Sequence, residues 1–328
     1  MELALIGDIG ATNARFAVLQ NGVPTSIKVL PVASYASLHD AIQAYFVGLD
    51  QADLRRPTIG AVAVAGPVTG DYLSFTNHPW SFSISQLAKD LNLSHLDVIN
   101  DFVAVALAVP RITPDNRRQV GAGSSVAGSP AGIIGPGSGL GVSIVVPVDD
   151  AGGATRWVPL SGEGGHVTLS PVTDREVALV AWLHRTGRAH VSAETLICGK
   201  GLTTLHAGLS ALDGIAPSHL EPADVSRGAI SGEDPVAVEA VEIFCALLGT
   251  VAGNLALTAG ARGGVYIAGG IVPRLGPVFI ESRFRERFEQ KGRLAPYLAA
   301  IPTYVVTHPT PAFLGLSALL REKSAASS

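Results

Sequence analysis

Ile6-Gly7-Asp8-Ile9-Gly10-Ala11-Thr12-Asn13 is a glycine-rich turn fed by an apolar strand, and its surroundings decide how the chain is read. Residues 2–7 are apolar enough for that strand, and Ala14-Arg15-Phe16-Ala17-Val18-Leu19-Gln20 reads as a second one, ending at Asn21-Gly22. An Asn-Gly pair between two such runs signals a tight hairpin, because both residues accept positive φ. A third strand follows at 26–32, so the chain opens as an antiparallel meander. Further out, Leu38, Ile42, Tyr45, Phe46 and Leu49 recur at helical spacing over 37–49. A continuous apolar strand at 58–65, a helix at 84–92 and a strand at 96–99 complete the first half. A meander followed by alternating helices and strands describes a ribonuclease-H-like α/β unit, with an antiparallel edge and a parallel core.

The pattern starts again at Ile133-Ile134-Gly135, where a strand runs into Gly135-Pro136-Gly137-Ser138-Gly139-Leu140-Gly141 and a second strand, Gly141 to Val148, leaves it. This is a faint internal repeat. Helices at 174–186 and 235–259 follow, then a strand at 264–268 that runs into a third turn, Ile267-Ala268-Gly269-Gly270. Pro309 to Leu320 reads as a final helix and Ser324 to Ser328 as a frayed tail. At 328 residues the chain exceeds the ~250–300 at which single cores stop growing. The expected fold class is therefore α/β, two ribonuclease-H-like domains with a ligand cleft between them, since open α/β sheets bind ligands at their strand ends.

Composition narrows the partners. Lys and Arg number 23 against 27 Asp and Glu, a net charge of −4 with no basic block, which argues against nucleic acid. Hydrophobic residues make up 47%, yet uninterrupted apolar runs such as Phe102 to Val109 fall short of the ~20 residues that cross a bilayer. Glu2 and Asp8 interrupt the start, so no secretory signal is visible and a soluble, cytoplasmic protein is expected. Cys198 and Cys245 lie far apart without a further ligand at metal spacing, which predicts two reduced thiols rather than a disulfide or zinc site.

A turn without side chains lets backbone N–H groups converge on an anion, and Thr12 and Ser138 add hydroxyls. Asp8, beside the first turn, can face a phosphate-bound Mg²⁺, usually through water because Mg²⁺ dehydrates reluctantly. A plain hairpin turn with positive-φ glycine is the structural alternative. Asn100-Asp101 follows a strand and precedes an apolar run; Asn and Asp are good helix caps, but Asp101 also suits a general base for an alcohol attacking a γ-phosphoryl group, with Asn100 orienting a hydroxyl. Glu163-Gly164-Gly165-His166 offers a carboxylate and an imidazole that suit the vicinal hydroxyls of a sugar. Glu194, ahead of Gly199-Lys200-Gly201, is either another hydroxyl acceptor or an exposed helical charge. The third turn reads as a nucleoside platform or as close strand-to-helix packing. Trp80 reads as a core or domain-edge anchor. Together the turns and carboxylates imply an ATP-dependent kinase for a small polar substrate.

These motifs, with Thr76-Asn77-His78-Pro79-Trp80, Ile99-Asn100-Asp101-Phe102 and Ile267-Ala268-Gly269-Gly270-Ile271, resemble the bacterial-type ATP-dependent glucokinases outside the zinc-binding ROK group, nearly end to end. The resemblance implies an actin-like, hexokinase-like fold, with a small domain of residues 1–110 plus 309–328, a large domain of 111–308, and a homodimer. It implies transfer of the ATP γ-phosphoryl to the 6-hydroxyl of glucose, with Mg²⁺. Carried over, Asp101 is the catalytic base, and Asn100, Glu163, His166 and Glu194 bind sugar hydroxyls. Gly7, Asp8, Ile9, Gly10, Ala11 and Thr12 line the nucleotide phosphates, joined by Gly137, Ser138, Gly139, Gly269 and Gly270 in the other two turns. Ala11 stands where the family usually has a second glycine, which predicts a less close approach to phosphate unless φ stays negative there. Ser138 replaces a commoner threonine, and Cys198 and Lys200 stand where serine and proline are frequent.

Overall fold

Strand β1 (Ala4–Ile9) pairs antiparallel with β2 (Asn13–Gln20), which pairs antiparallel with β3 (Val23–Pro31). The β2–β3 connection is the expected tight turn, with Asn21 at φ 52° and Gly22 at φ 79°. On its other side β1 runs parallel to β4 (Ile59–Val64). A small hairpin of β5 (Tyr72–Ser74) and β6 (Ser81–Ser83) precedes β7 (His95–Asn100), which is parallel to β4 and closes a sheet of order β3-β2-β1-β4-β7. The computed structural model describes residues 3–326 apart from 76–78, 150, 151, 154 and 217, so Thr76, Asn77 and His78 of the quoted motif lie outside the described residues.

Both faces of this sheet are covered. The helix Leu38–Gln51 is capped by Ser37, whose hydroxyl accepts from the Asp40 N–H, and it buries the predicted stripe of Leu38, Ile42, Tyr45, Phe46 and Leu49 beside Phe16 and Val62. Each such buried side chain contributes roughly 1.5–3 kcal/mol. Trp80 joins this core at 2% exposure and donates its indole N–H to the Tyr35 carbonyl at 3.0 Å. On the opposite face the last helix, Pro311–Ala326, lays Phe313, Leu316 and Leu320 against Ile6, Ala17, Ala61 and Ala63. It also packs on the helix Asp101–Ala108, where Gly315 comes so close that a Cβ would stand 1.7 Å from the Ala104 carbonyl oxygen. Ser324 to Ala326 continue that helix instead of fraying; alanine is the best helix former.

The second sheet repeats the first. After the edge strand β8 (Arg117–Val120), β9 (Ala131–Pro136), β10 (Leu140–Asp149) and β11 (Thr155–Gly162) form an antiparallel meander. Strands β12 (Val265–Ile267) and β13 (Thr303–Val306) then run parallel beside β9, giving the order β11-β10-β9-β12-β13-β8. Apart from β8, this is strand for strand the order of the first sheet. The helix Pro235–Ala259 is long and apolar enough to cross a bilayer by length and composition, but 78% of its apolar window is buried in this core. Asp234 caps it, accepting from the Val236 and Ala237 N–H groups. Both cysteines are buried free thiols, and burial pushes the Cys245 thiol up to about 12. The chain divides into two compact units, Met1–Arg111 with Pro309–Ser328, and Ile112–His308.

Candidate active site

In the first unit the polar groups gather where the parallel strands β1, β4 and β7 end. The sequence reading treats Gly7 to Thr12 as one cradle, but Gly7, Asp8 and Ile9 belong to β1, and their backbone is paired with β2 and β4 on both sides. Only Gly10, Ala11 and Thr12 form the turn. Gly7 is needed for packing, since a Cβ there would meet the Phe16 ring and Val62 at 3.2 Å. The Gly10 N–H donates to the Asn13 carbonyl at 3.0 Å, leaving the Ala11 and Thr12 N–H groups free of protein acceptors among the described residues. Neither Gly10 nor Ala11 has positive φ, so the methyl of Ala11 carries no backbone strain.

Asp8 stands opposite Arg15 in the β1–β2 register, and Arg15 Nη1 donates to Asp8 Oδ2 at 3.4 Å. Burial pushes the Asp8 carboxyl above the ordinary carboxylate range, and the Arg15 guanidinium only partly offsets this. Among the described residues no three His, Cys, Asp or Glu side chains cluster as a metal cage. One desolvated carboxylate is a fitting donor for Mg²⁺, which keeps most of its waters and takes the rest of its ligands from substrate phosphates.

At the end of β7, Asn100 caps the helix Asp101–Ala108: its Oδ1 accepts from Phe102 N at 2.9 Å and Val103 N at 3.2 Å. Its amide nitrogen donates to the carbonyl of Gly66, after β4, at 3.0 Å. The cap alternative is therefore realised by Asn100, which keeps one amide hydrogen for another acceptor. Asp101 is the first helical residue, half-buried, with Oδ1 accepting its neighbour Phe102 N–H at 2.9 Å.

The second unit brings its candidates together around the start of β10. The Gly137 N–H donates to Gly139 O at 2.8 Å, so within this turn the Ser138 and Gly139 N–H groups are the ones that point to no protein acceptor among the described residues. The next N–H, of Leu140, donates to Glu194 Oε2 at 2.8 Å. Glu194 lies in the single-turn helix Ala193–Leu196 and is half-buried, neither of which the spacing alone could decide. Segment 167–169 pairs with 191–193 through Ala193 N to Val167 O and Leu169 N to Val191 O, which holds Glu194 beside the turn Gly164–His166. There Gly165 is obligatory, because a Cβ would fall 2.0 Å from Leu140 O, and Gly164 faces Val142. Both glycines thus press the turn onto β10; the His166 N–H donates to Glu163 O at 3.0 Å, and the Glu163 and His166 side chains are left exposed without hydrogen bonds among the described residues.

Gly269 and Gly270 are neighbours of the second turn. Gly269 has φ 85°, and a Cβ on it would lie 2.4 Å from Pro136 O. Positive φ and close packing both require that glycine. Two further contacts shape the site: the Gly66 carbonyl fixes Asn100, and the Gly199 N–H donates to Gly137 O at 2.8 Å. Neither contact leaves a local sequence signal, since both are backbone atoms reaching across the fold.

Two α/β units sharing one strand order, each with a glycine turn after the first strand of its meander, define the actin-like ATPase fold. The crystal structure of a glucokinase from an Antarctic psychrotroph superposes with a TM-score of 0.84 at 36% identity, covering 98% of this chain and 99% of that one. A ROK-family glucokinase from Streptomyces griseus, solved with glucose and AMPPNP, shares the fold at 18% identity and a TM-score of 0.63, covering 98% and 99%. The glucokinase family model matches residues 5–323, and a glucokinase of Nitrobacter hamburgensis is 50% identical over 317 residues, 97% of each chain. The chain belongs to the glucokinase family of enzymes.

Proposed function

We propose that this protein transfers the γ-phosphoryl group of ATP to the 6-hydroxyl of glucose, giving glucose 6-phosphate and ADP, with Asp101 as general base. The observation that carries the reading is the half-buried Asp101 carboxylate, set at the same strand ends as the Gly10–Thr12 turn within a chain of this family. Asp101 accepts the proton of the 6-hydroxyl as its oxygen attacks the γ-phosphorus, while Asn100 donates its remaining amide hydrogen to a sugar hydroxyl. Glu163, His166 and Glu194 Oε1 bond the other hydroxyls, so an analogue lacking one leaves a polar group unpaired. Ala11, Thr12, Ser138 and Gly139 offer N–H groups to the phosphates, and Gly269 and Gly270 give a flat backbone for the nucleoside. Asp8 would hold Mg²⁺ through water, and that ion supplies neutralisation of phosphate charge. Positioning and charge neutralisation then do most of the catalysis.

In this reading residues 1–110 plus 309–328 form a small domain and 111–308 a large one, and the protein works as a cytoplasmic homodimer in glycolysis, without nucleic acid or membrane partners. A coupled assay of ADP formation over a panel of glucose, mannose, fructose and amino sugars tests it. Glucose should give the highest kcat/KM. ADP release that no sugar stimulates would instead mark a plain ATPase, and a stronger preference for another hexose would move the substrate.

A further inference from the structure

The turn Gly137-Ser138-Gly139 is gripped on both sides of Ser138 by backbone and side-chain groups from one neighbouring segment. On one side Gly199 donates its N–H to Gly137 O at 2.8 Å; on the other Glu194 Oε2 accepts the Leu140 N–H at 2.8 Å. The grip is tight, because a Cβ on Gly139 would lie 2.4 Å from Glu194 Oε2. Gly199 is the first residue of the helix Gly199–Leu212, whose cap, Cys198, accepts the Gly201 N–H through Sγ at 3.3 Å. The first N–H groups of a helix have no partner within it and ordinarily go to caps or water. Here one of them is spent on a loop some sixty residues earlier in the chain.

We infer that Gly199 is a positioning residue for the nucleotide: its N–H, with Glu194, fixes the Gly137–Gly139 turn so that the Ser138 and Gly139 N–H groups are preset for phosphate. This rests on the proposed kinase reading and adds to it a residue that touches neither substrate. Gly199 acts through Gly137 O alone. It contributes no atom to the sugar, so its loss falls on the nucleotide.

Proline at position 199 removes that donor and puts its ring carbon where the N–H hydrogen pointed at Gly137 O, so the turn has to move away from the helix. The first helical position is where proline is best tolerated, and Cys198 before it is already extended at φ −155°, ψ −178°, as a residue preceding proline must be. The nearest atoms to a Cβ at 199 are Gly137 O at 3.4 Å and Pro222 at 3.8 Å, ordinary contacts, so alanine fits there. Gly199→Pro should weaken AMPPNP binding and raise the ATP KM by at least about 3- to 10-fold, one net hydrogen bond setting the lower bound, with the glucose Kd within about 2-fold of wild type. Gly199→Ala keeps the N–H and should restore the ATP KM. An amide-to-ester exchange at 199 repeats the deletion without the proline ring, should the proline variant not fold. An unchanged ATP KM in the folded variant, or equal weakening of AMPPNP and glucose with a lower Tm, overturns the inference. A wild-type protein that binds no AMPPNP sinks the kinase reading itself and this inference with it.

Discussion

The two sheets share a strand order and differ in what they place at their strand ends. In the first unit the polar side chains are largely engaged: Asn100 caps a helix and reaches Gly66, and Asp8 faces Arg15. In the second, the Glu163 and His166 side chains stand exposed without hydrogen bonds among the described residues, on a turn whose glycines serve packing. Under the proposed function the repeated fold divides two tasks between its copies. On that proposal the half-buried carboxylates of one copy serve proton transfer and a metal, and the exposed side chains of the other serve a ligand that brings its own hydroxyls.

The sharpest way to break this comparison is Asp101→Ala. Turnover should fall by about 10²–10⁴ in kcat while glucose still binds, the usual loss for a general base, read by the coupled ADP assay and by calorimetric titration of glucose. Near-normal turnover would take the chemistry out of the first unit. Glu163→Gln and His166→Ala should act differently, raising the glucose KM by roughly ten-fold or more with a smaller change in kcat, since each removes a bond to the bound sugar. Sugar titrations that match wild type for both variants would leave the exposed pair without its task.

The smallest effect concerns Asp8. A carboxyl whose folded-state pKa is raised contributes stability that is full below its unfolded pKa and lost as pH rises through the folded value. At neutral pH the ionised Asp8 therefore costs stability, and Asp8→Asn should raise the Tm of the ligand-free protein there. The gain should vanish on acidification below the ordinary carboxylate pKa, and the same variant should need more Mg²⁺ for activity. A Tm that drops at pH 7 would show the Arg15 contact outweighing burial.

Much of this was legible in the sequence, and unevenly so. The Asn21-Gly22 hairpin and the Leu38–Gln51 stripe carry signals complete within a few residues, and both are found. The helix Gly199–Leu212 was not expected, because three glycines and two threonines in its fourteen residues disguise its periodicity. Strand β13 is only four residues long and reads as a linker between prolines. For the site, residue types pointed to Asp101, Glu163 and His166, whereas the partition of turn N–H groups into spent and unspent was invisible. It depends on Asn13 O, Gly139 O and Glu194, acceptors placed by the fold rather than by neighbouring sequence.

The seat of Gly315 on Ala104 also bears on synthesis. Ser317, in the same helix, bonds the Gly22 carbonyl across 295 residues of chain, so the second face of the first sheet is sealed only after the segment Ile112–His308 has been made. The residues from Ile112 to His308 close on themselves and can mature while still tethered to the ribosome. The unit begun first is thus completed after the one inserted in it, and until then Ile6, Ala61 and Ala63 lack their apolar cover.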